Sequence, residues 1–106
     1  MRRGDIVWAD LPSPAGRRPV CVLTRDAAID VLVAVTCAPI TRTARGIRSE
    51  VEVGRAEGLP APSVITCDNV MTIPKLLLDA EPVGRLTSGG RIALDAALRY
   101  ALDIRF

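Results

Sequence analysis

Apolar side chains fall in short runs along most of this chain, separated by proline, glycine and charged residues, and their period changes only near the C-terminus. Residues 6–9 form the first run, with Ile6 and Trp8 on one face of an expected strand and Val7 and Ala9 on the other. Pro12 and Pro14 forbid a regular ladder after it, so a loop is expected that ends in Gly16, Arg17, Arg18 and Pro19. Residues 20–24 are almost continuously apolar, as are residues 31–38 up to Pro39. Such runs predict strands buried on both faces. A turn with a little helix is expected between them, at residues 26–30. Residues 41–48 hold three arginines, no acid and Gly46, and read as a loop. Residues 49–53 then alternate Glu50 and Glu52 with Val51 and Val53, as a half-exposed strand should. Further short strands are predicted at 63–66 and 70–73, with a kink or bulge at 67–69, and residues 83–86 are expected to close the sheet.

Beyond Ser88, a fair N-cap, Leu94, Leu98, Ala101 and Leu102 recur at helical spacing. Arg91, Asp95, Arg99 and Asp103 sit four apart on another face, alternating in sign. The pattern predicts an amphipathic helix of about four turns. Several short strands followed by one helix predict a mainly β fold with a C-terminal α-helix, a small barrel or strongly bent sheet with the helix packed on it.

The length of 106 residues supports one domain, 1–106, that buries roughly two-thirds of its unfolded surface. The composition, 49% apolar and 25% charged, is that of a globular chain. There is no histidine, which removes the commonest general base, the commonest metal ligand and any Ser/His or Cys/His pair. Cys21, Cys37 and Cys67 are far apart with apolar neighbours, so buried free thiols and no zinc or other metal site are expected. The N-terminus lacks the apolar core of a signal peptide, and no apolar stretch approaches the ~20 residues that span a bilayer. A soluble cytoplasmic protein with no membrane partner is expected.

Net charge is only +2, so any case for an anionic partner rests on local clustering. Lys75 is the sole lysine; the remaining positive charge is arginine, which grips phosphate in a two-pronged way that lysine cannot. Arg17 and Arg18 at the mouth of a strand, fixed by Pro19, suit the aiming of a guanidinium at an anion better than the building of a core. The bland alternative is a solvated loop arginine paired with Asp10. Thr41, just past the next apolar run, completes a candidate phosphate site, its alternative being a hydroxyl that bonds its own loop backbone. Thr36, inside the strand pattern, is a weaker candidate. Arg42, Arg45 and Arg48 form the densest basic run and would hold RNA-backbone phosphates, or simply be solvated. Trp8, Tyr100 and Phe106 are the only aromatic residues, so base stacking is limited, and Trp8 is expected in the core.

Taken in order, the run from Arg3 to Leu11, Gly16-Arg-Arg-Pro-Val20, Pro39-Ile-Thr41, Gly46, Glu50-Val51, Gly58-Leu59, Ser63-Val-Ile65, residues 68–73 and Gly84-Arg-Leu86 resemble the MazF/PemK family of toxin endoribonucleases. The resemblance covers essentially the whole chain. It implies an SH3-like small barrel (CcdB/PemK-like) working as a homodimer that cuts single-stranded mRNA at short sequences without metal or cofactor. Cleavage in the family proceeds by attack of the ribose 2′-OH on the adjacent phosphorus and leaves a 2′,3′-cyclic phosphate and a 5′-OH. By resemblance Arg18 is the catalytic arginine and Thr41 the catalytic threonine. Asp68 is a candidate acid or base beside the groove, and Arg17 and Asn69 join the loop arginines as RNA contacts. Met71 departs from the pattern, standing where several relatives carry a basic residue. The resemblance also implies a cognate antitoxin whose acidic segment covers the RNA groove.

Two other readings stay open. A gyrase-poisoning toxin on the same fold would end in a Trp-Gly-Ile tail, whereas this chain ends Asp103-Ile-Arg-Phe106. A non-catalytic barrel that only binds an antitoxin-like partner would not need both Arg18 and Thr41.

Overall fold

The computed structural model describes residues 1–105. Its strands are β1 (Asp5–Asp10), β2 (Arg17–Val22), β3 (Ala34–Thr41), β4 (Glu50–Val53), β5 (Ser63–Thr66), β6 (Met71–Pro74) and β7 (Gly84–Arg85). Helix α1 (Asp26–Ile29) links β2 to β3, and α2 (Ser88–Leu102) ends the fold. All strand pairs are antiparallel, in the order β4-β5-β3-β2-β1-β7, with β6 also on β3. The class is the expected one, mainly β with a C-terminal helix.

The central strands are apolar on both faces because each face meets its own core. Ile6, Cys21, Ala38, Ile40 and Ile65 pack towards Leu94 and Ala97 of α2. Val7, Ala9, Val20, Val22, Val35, Cys37 and Ile73 form a second core on the reverse face with Ile29 of α1. Helix α2 is capped by Thr87, not Ser88: the Thr87 hydroxyl accepts the Gly90 N–H at 3.0 Å. Its buried stripe holds Ala97 with Leu94, and Leu102 lies half out in solvent. Asp95 leaves the expected ladder of helix charges and pairs with Arg3 at 3.0 Å, tying α2 to the start of β1.

Three departures from the expected strands bear on function. First, β2 begins at Arg17, inside the expected loop. Arg17, Arg18 and Pro19 pair with Asp10, Ala9 and Trp8 of β1, while pairing with β3 starts only at Val20. Pro19 thus has no partner on its β3 side and removes no ladder bond there. Second, residues 31–33 lie outside β3, because its ladder with β6 stops at the pair Ala34 and Pro74. Val31 and Val33 are 77% and 87% exposed.

Third, β3 runs through Pro39 to Thr41. It leaves β2 at Pro39, and Ile40 and Thr41 pair with β5. Along that edge, β5 and β6 follow one another with a break. Between the pairs Ile40–Ile65 and Cys37–Met71, β3 has two residues, 38 and 39, and the opposite chain has five, 66–70. The surplus bulges out as a single 3-10 turn, Cys67–Asn69, where a kink was expected. The Thr66 hydroxyl donates to the Pro39 carbonyl at 2.9 Å and closes the gap in the ladder. No helix among the described residues is long and apolar enough to cross a membrane.

Candidate functional site

Strand parity decides where the two neighbouring arginines go. On β2, residues 18, 20 and 22 share a face, and on β3 residues 35, 37, 39 and 41 share the same one; its inner part is the second core. Arg18, Pro39 and Thr41 continue that face beyond the core, where it opens into a cleft of about 330 Å³. The Arg18 Nε is enclosed and has no hydrogen-bond partner among the described residues. A cationic donor held this way carries a desolvation cost that an anionic guest would offset.

Arg17 points away and is committed. It donates to Asp79 at 2.6 and 3.1 Å and to Asp10 at 3.0 Å, and its guanidinium lies 5.4 Å from the Trp8 ring. Asp79, with Asp10 behind it, holds Arg17 in its charged form beyond the usual arginine range, and Arg17 holds the Asp79 carboxyl below the usual carboxylate range. The pairing weighed as the alternative for Arg18 is therefore made by Arg17.

Thr41 makes the local bond weighed as its alternative and also lines the cleft. Its Oγ1 accepts the Thr43 N–H at 3.2 Å, which leaves the hydroxyl proton free to donate into the cleft. Asp68 and Asn69 also line the cleft, exposed on the 3-10 turn. Asp68 Oδ2 accepts the Ser49 hydroxyl at 2.5 Å.

The three loop arginines diverge. Arg45 lines the cleft. Arg42, one residue past Thr41, lies in a separate recess with Glu52 and Ser63. Arg48 stacks over Tyr100 of α2 at 4.5 Å. Thr36 is outside the cleft, and its N–H donates to Thr24 Oγ1 at 2.7 Å. Met71 packs against the second core, beside an apolar recess with Leu11 and Leu77.

Ser49 and Glu50 also line the cleft and were not singled out from sequence. Ser49 is 1% exposed, and Glu50 accepts backbone N–H groups from the loop before it. The sequence signals for Glu50 are its place in the matched pair Glu50-Val51 and its carboxylate just after a basic loop that holds no acid.

The cysteines lie in the core and take no part in the cleft. Burial pushes the thiols of Cys21 and Cys37 up to about 12 and that of Cys67 to about 11, so each is a neutral thiol at physiological pH. Among the described residues no group of three or more His, Cys, Asp or Glu is arranged to hold a metal ion. The cleft can thus offer an anion a fixed guanidinium, a hydroxyl donor and a carboxylate.

Comparison with known proteins agrees over nearly the whole chain. Residues 2–102 match the family described as PemK-like, MazF-like toxin of type II toxin-antitoxin system. Endoribonuclease MazF3 of Mycobacterium tuberculosis is 44% identical over 87 residues, 82% of this chain and 84% of that protein. The structure of the Mycobacterium tuberculosis toxin MazF-mt6 superposes with a TM-score of 0.89 at 40% identity, covering 96% of this chain and 99% of that one. A mycobacterial endoribonuclease solved in complex with its cognate antitoxin shares the fold, with a TM-score of 0.88 at 24% identity over 100% of this chain and 98% of that one.

Proposed function

The chain belongs to the PemK/MazF family of type II toxin–antitoxin toxins, and from that membership and the cleft we propose how it cuts RNA. It is a MazF-type endoribonuclease whose substrate is single-stranded mRNA. The ribose 2′-oxygen bonds to the adjacent phosphorus and its proton passes to the Asp68 carboxylate. The bond from phosphorus to the 5′-oxygen breaks, and that oxygen takes a proton from water. The products are a 2′,3′-cyclic phosphate and a 5′-OH.

Arg18 and the Thr41 hydroxyl face the non-bridging oxygens, where negative charge builds in the transition state. Arg18 acts as a fixed cation and not as an acid, since a guanidinium keeps its proton up to a pKa above ~12. Ser49 holds Asp68 in place, and Arg45 and Asn69 contact RNA. The step calls for no metal. The carboxylates of the cleft are Asp68 and Glu50, and Glu50 is taken up by backbone amides.

The observation that carries this reading is the enclosed, unpartnered Arg18 Nε in a cleft that Thr41 and Asp68 also line. We further propose that the protein works as a homodimer, and that an acidic antitoxin segment silences it by covering Arg18 and Arg45. The experiment is to map both ends of a long RNA cut by the purified protein in excess EDTA. Cyclic-phosphate and 5′-OH ends are expected. Dependence on added Mg²⁺, or 5′-phosphate ends, would rule the mechanism out. Absence of RNA cleavage together with gyrase inhibition would favour the poison reading instead.

A further inference from the structure

The loop of residues 42–48 contains no strand or helix, yet it delivers Arg45 to the cleft. A carboxylate holds it. Glu50, the first residue of β4, accepts the Arg45 N–H at 3.0 Å on Oε1 and 3.1 Å on Oε2, and the Gly46 N–H at 2.9 Å on Oε1. Gly46 sits at φ +70°, in the left-handed region that lets successive amides converge on one point. Converging N–H groups make an anion nest, and here the anion is the chain's own. At the far end of the loop, Arg48 is stacked on Tyr100. Arg45, held by its backbone at the first of these tethers, forms no side-chain ion pair among the described residues.

Glu50 has the wrong charge to face a phosphate. Turned back onto the amides of 45 and 46, it spends that charge on backbone dipoles and leaves the Arg45 side chain at the lip of the cleft. We propose that Glu50 is a positioning residue whose carboxylate, as the internal anion of this nest, presents Arg45 to RNA and so sets how tightly RNA is held. The inference rests on the cleft being the RNA site. Its sign is what makes it testable. A carboxylate that merely sat near RNA would repel it, so removing the charge would tighten binding. A carboxylate that positions Arg45 does the reverse.

The test compares full-length Glu50→Gln and Glu50→Ala proteins with the unsubstituted chain on a single-stranded RNA bearing its cleavage sequence. Amide hydrogen exchange at Arg45 and Gly46 should accelerate, more in the Ala variant because Gln keeps one acceptor oxygen. KM should rise roughly fivefold or more while kcat stays within about twofold, the loss of one charge-assisted contact. The slope of log binding constant against log salt should flatten by about 0.7, one phosphate contact. Arg45→Gln should reproduce the KM and salt effects with its loop amides still protected, and the double variant should be no worse than the worse single one. Tighter RNA binding by Glu50→Gln would overturn the proposal, as would faster exchange with unchanged KM. Full activity in a folded Arg18→Ala protein would overturn the reading of the cleft itself, a failure that the amide-exchange result does not share.

Discussion

The buried Ser49 hydroxyl donates to Asp68 Oδ2 across 2.5 Å, from the residue just before β4 to the turn between β5 and β6. Such a bond holds the carboxylate in one orientation at the cleft. If Asp68 takes the 2′-OH proton, Ser49→Ala should lower kcat by about tenfold in a protein that still melts cooperatively. Asp68→Asn should cost about 10²–10⁴ in kcat, the usual span for a general base. Unchanged kcat in both variants would remove Asp68 from the proton transfer.

Arg17 and Arg18 offer a sharper contrast, since they are chemically identical neighbours sent to opposite faces. Arg18→Gln should leave the melting temperature nearly unchanged, because its Nε makes no hydrogen bond to lose. It should cut kcat by about 10²–10³, as removal of a preorganised transition-state donor does. Arg17→Gln should break the contacts with Asp10 and Asp79 and leave kcat/KM within about twofold, since exposed ion pairs contribute little. Equal damage from the two substitutions would mean that the faces do not separate their roles.

Thr41→Val tests the hydroxyl alone. It keeps the branched shape that suits the strand and loses the acceptor for the Thr43 N–H, worth about 1 kcal/mol of stability. Cleavage should fall at least tenfold in a protein that still melts cooperatively. A variant that unfolds, or one that cuts normally, would return Thr41 to a purely local role.

The core strands were legible from sequence as continuous apolar runs because each meets apolar layers on both faces, as Val20, Cys21 and Val22 do. Strand ends were not. Pro19 and Pro39 look like breakers, yet both sit where β2 and β3 part, so neither interrupts a ladder. Residues 31–33 look like strand, but β6 is too short to pair with them. Arg18 and Thr41 read as a candidate phosphate site from their places beside apolar runs, family resemblance adds their catalytic roles and Asp68, and the fold brings all three to one cleft. Composition could not tell Arg17 from Arg18, or Arg45 from Arg42 and Arg48, because strand parity and the path of the loop decide those. Glu50 was hidden by its regularity, because a polar residue alternating with valine reads as solvent-facing strand, whereas Ser49 shares the buried parity of Val51 and Val53.

The thiols give a pH dependence. Burial raises Cys21 and Cys37 from 9.0 to about 12 and Cys67 to about 11, so the folded state keeps protons that the unfolded chain releases above pH 9. Stability from these groups is fully present below that pH and declines as pH rises through it, by up to about 1.4 kcal/mol per pH unit for each thiol. Urea midpoints should fall between pH 9 and 11, and more gently in Cys37→Ala once its lower starting stability is subtracted. At pH 8 the native protein should resist a disulfide reagent that labels all three cysteines in denaturant. Rapid labelling of the native state would show that the cores open more readily than their packing implies.

The nucleophile can be tested on the substrate, with the protein left untouched. If the attacking group is the ribose 2′-OH, replacing it by hydrogen at the single sugar just upstream of the cut removes the reaction and leaves every phosphate that Arg18 and Arg45 would hold. Such an RNA should bind with about the same affinity and the same salt slope as the all-ribose strand, because both are set by phosphate contacts. It should not be cut, and it should compete with uncut RNA at a concentration near its own dissociation constant. A 2′-deoxy sugar one residue further upstream should be cut at a nearly normal rate, which separates a chemical role of the hydroxyl from recognition of ribose. Cleavage of the first substrate would mean that water is the nucleophile, and Asp68 would then have to be reconsidered as the group that activates it.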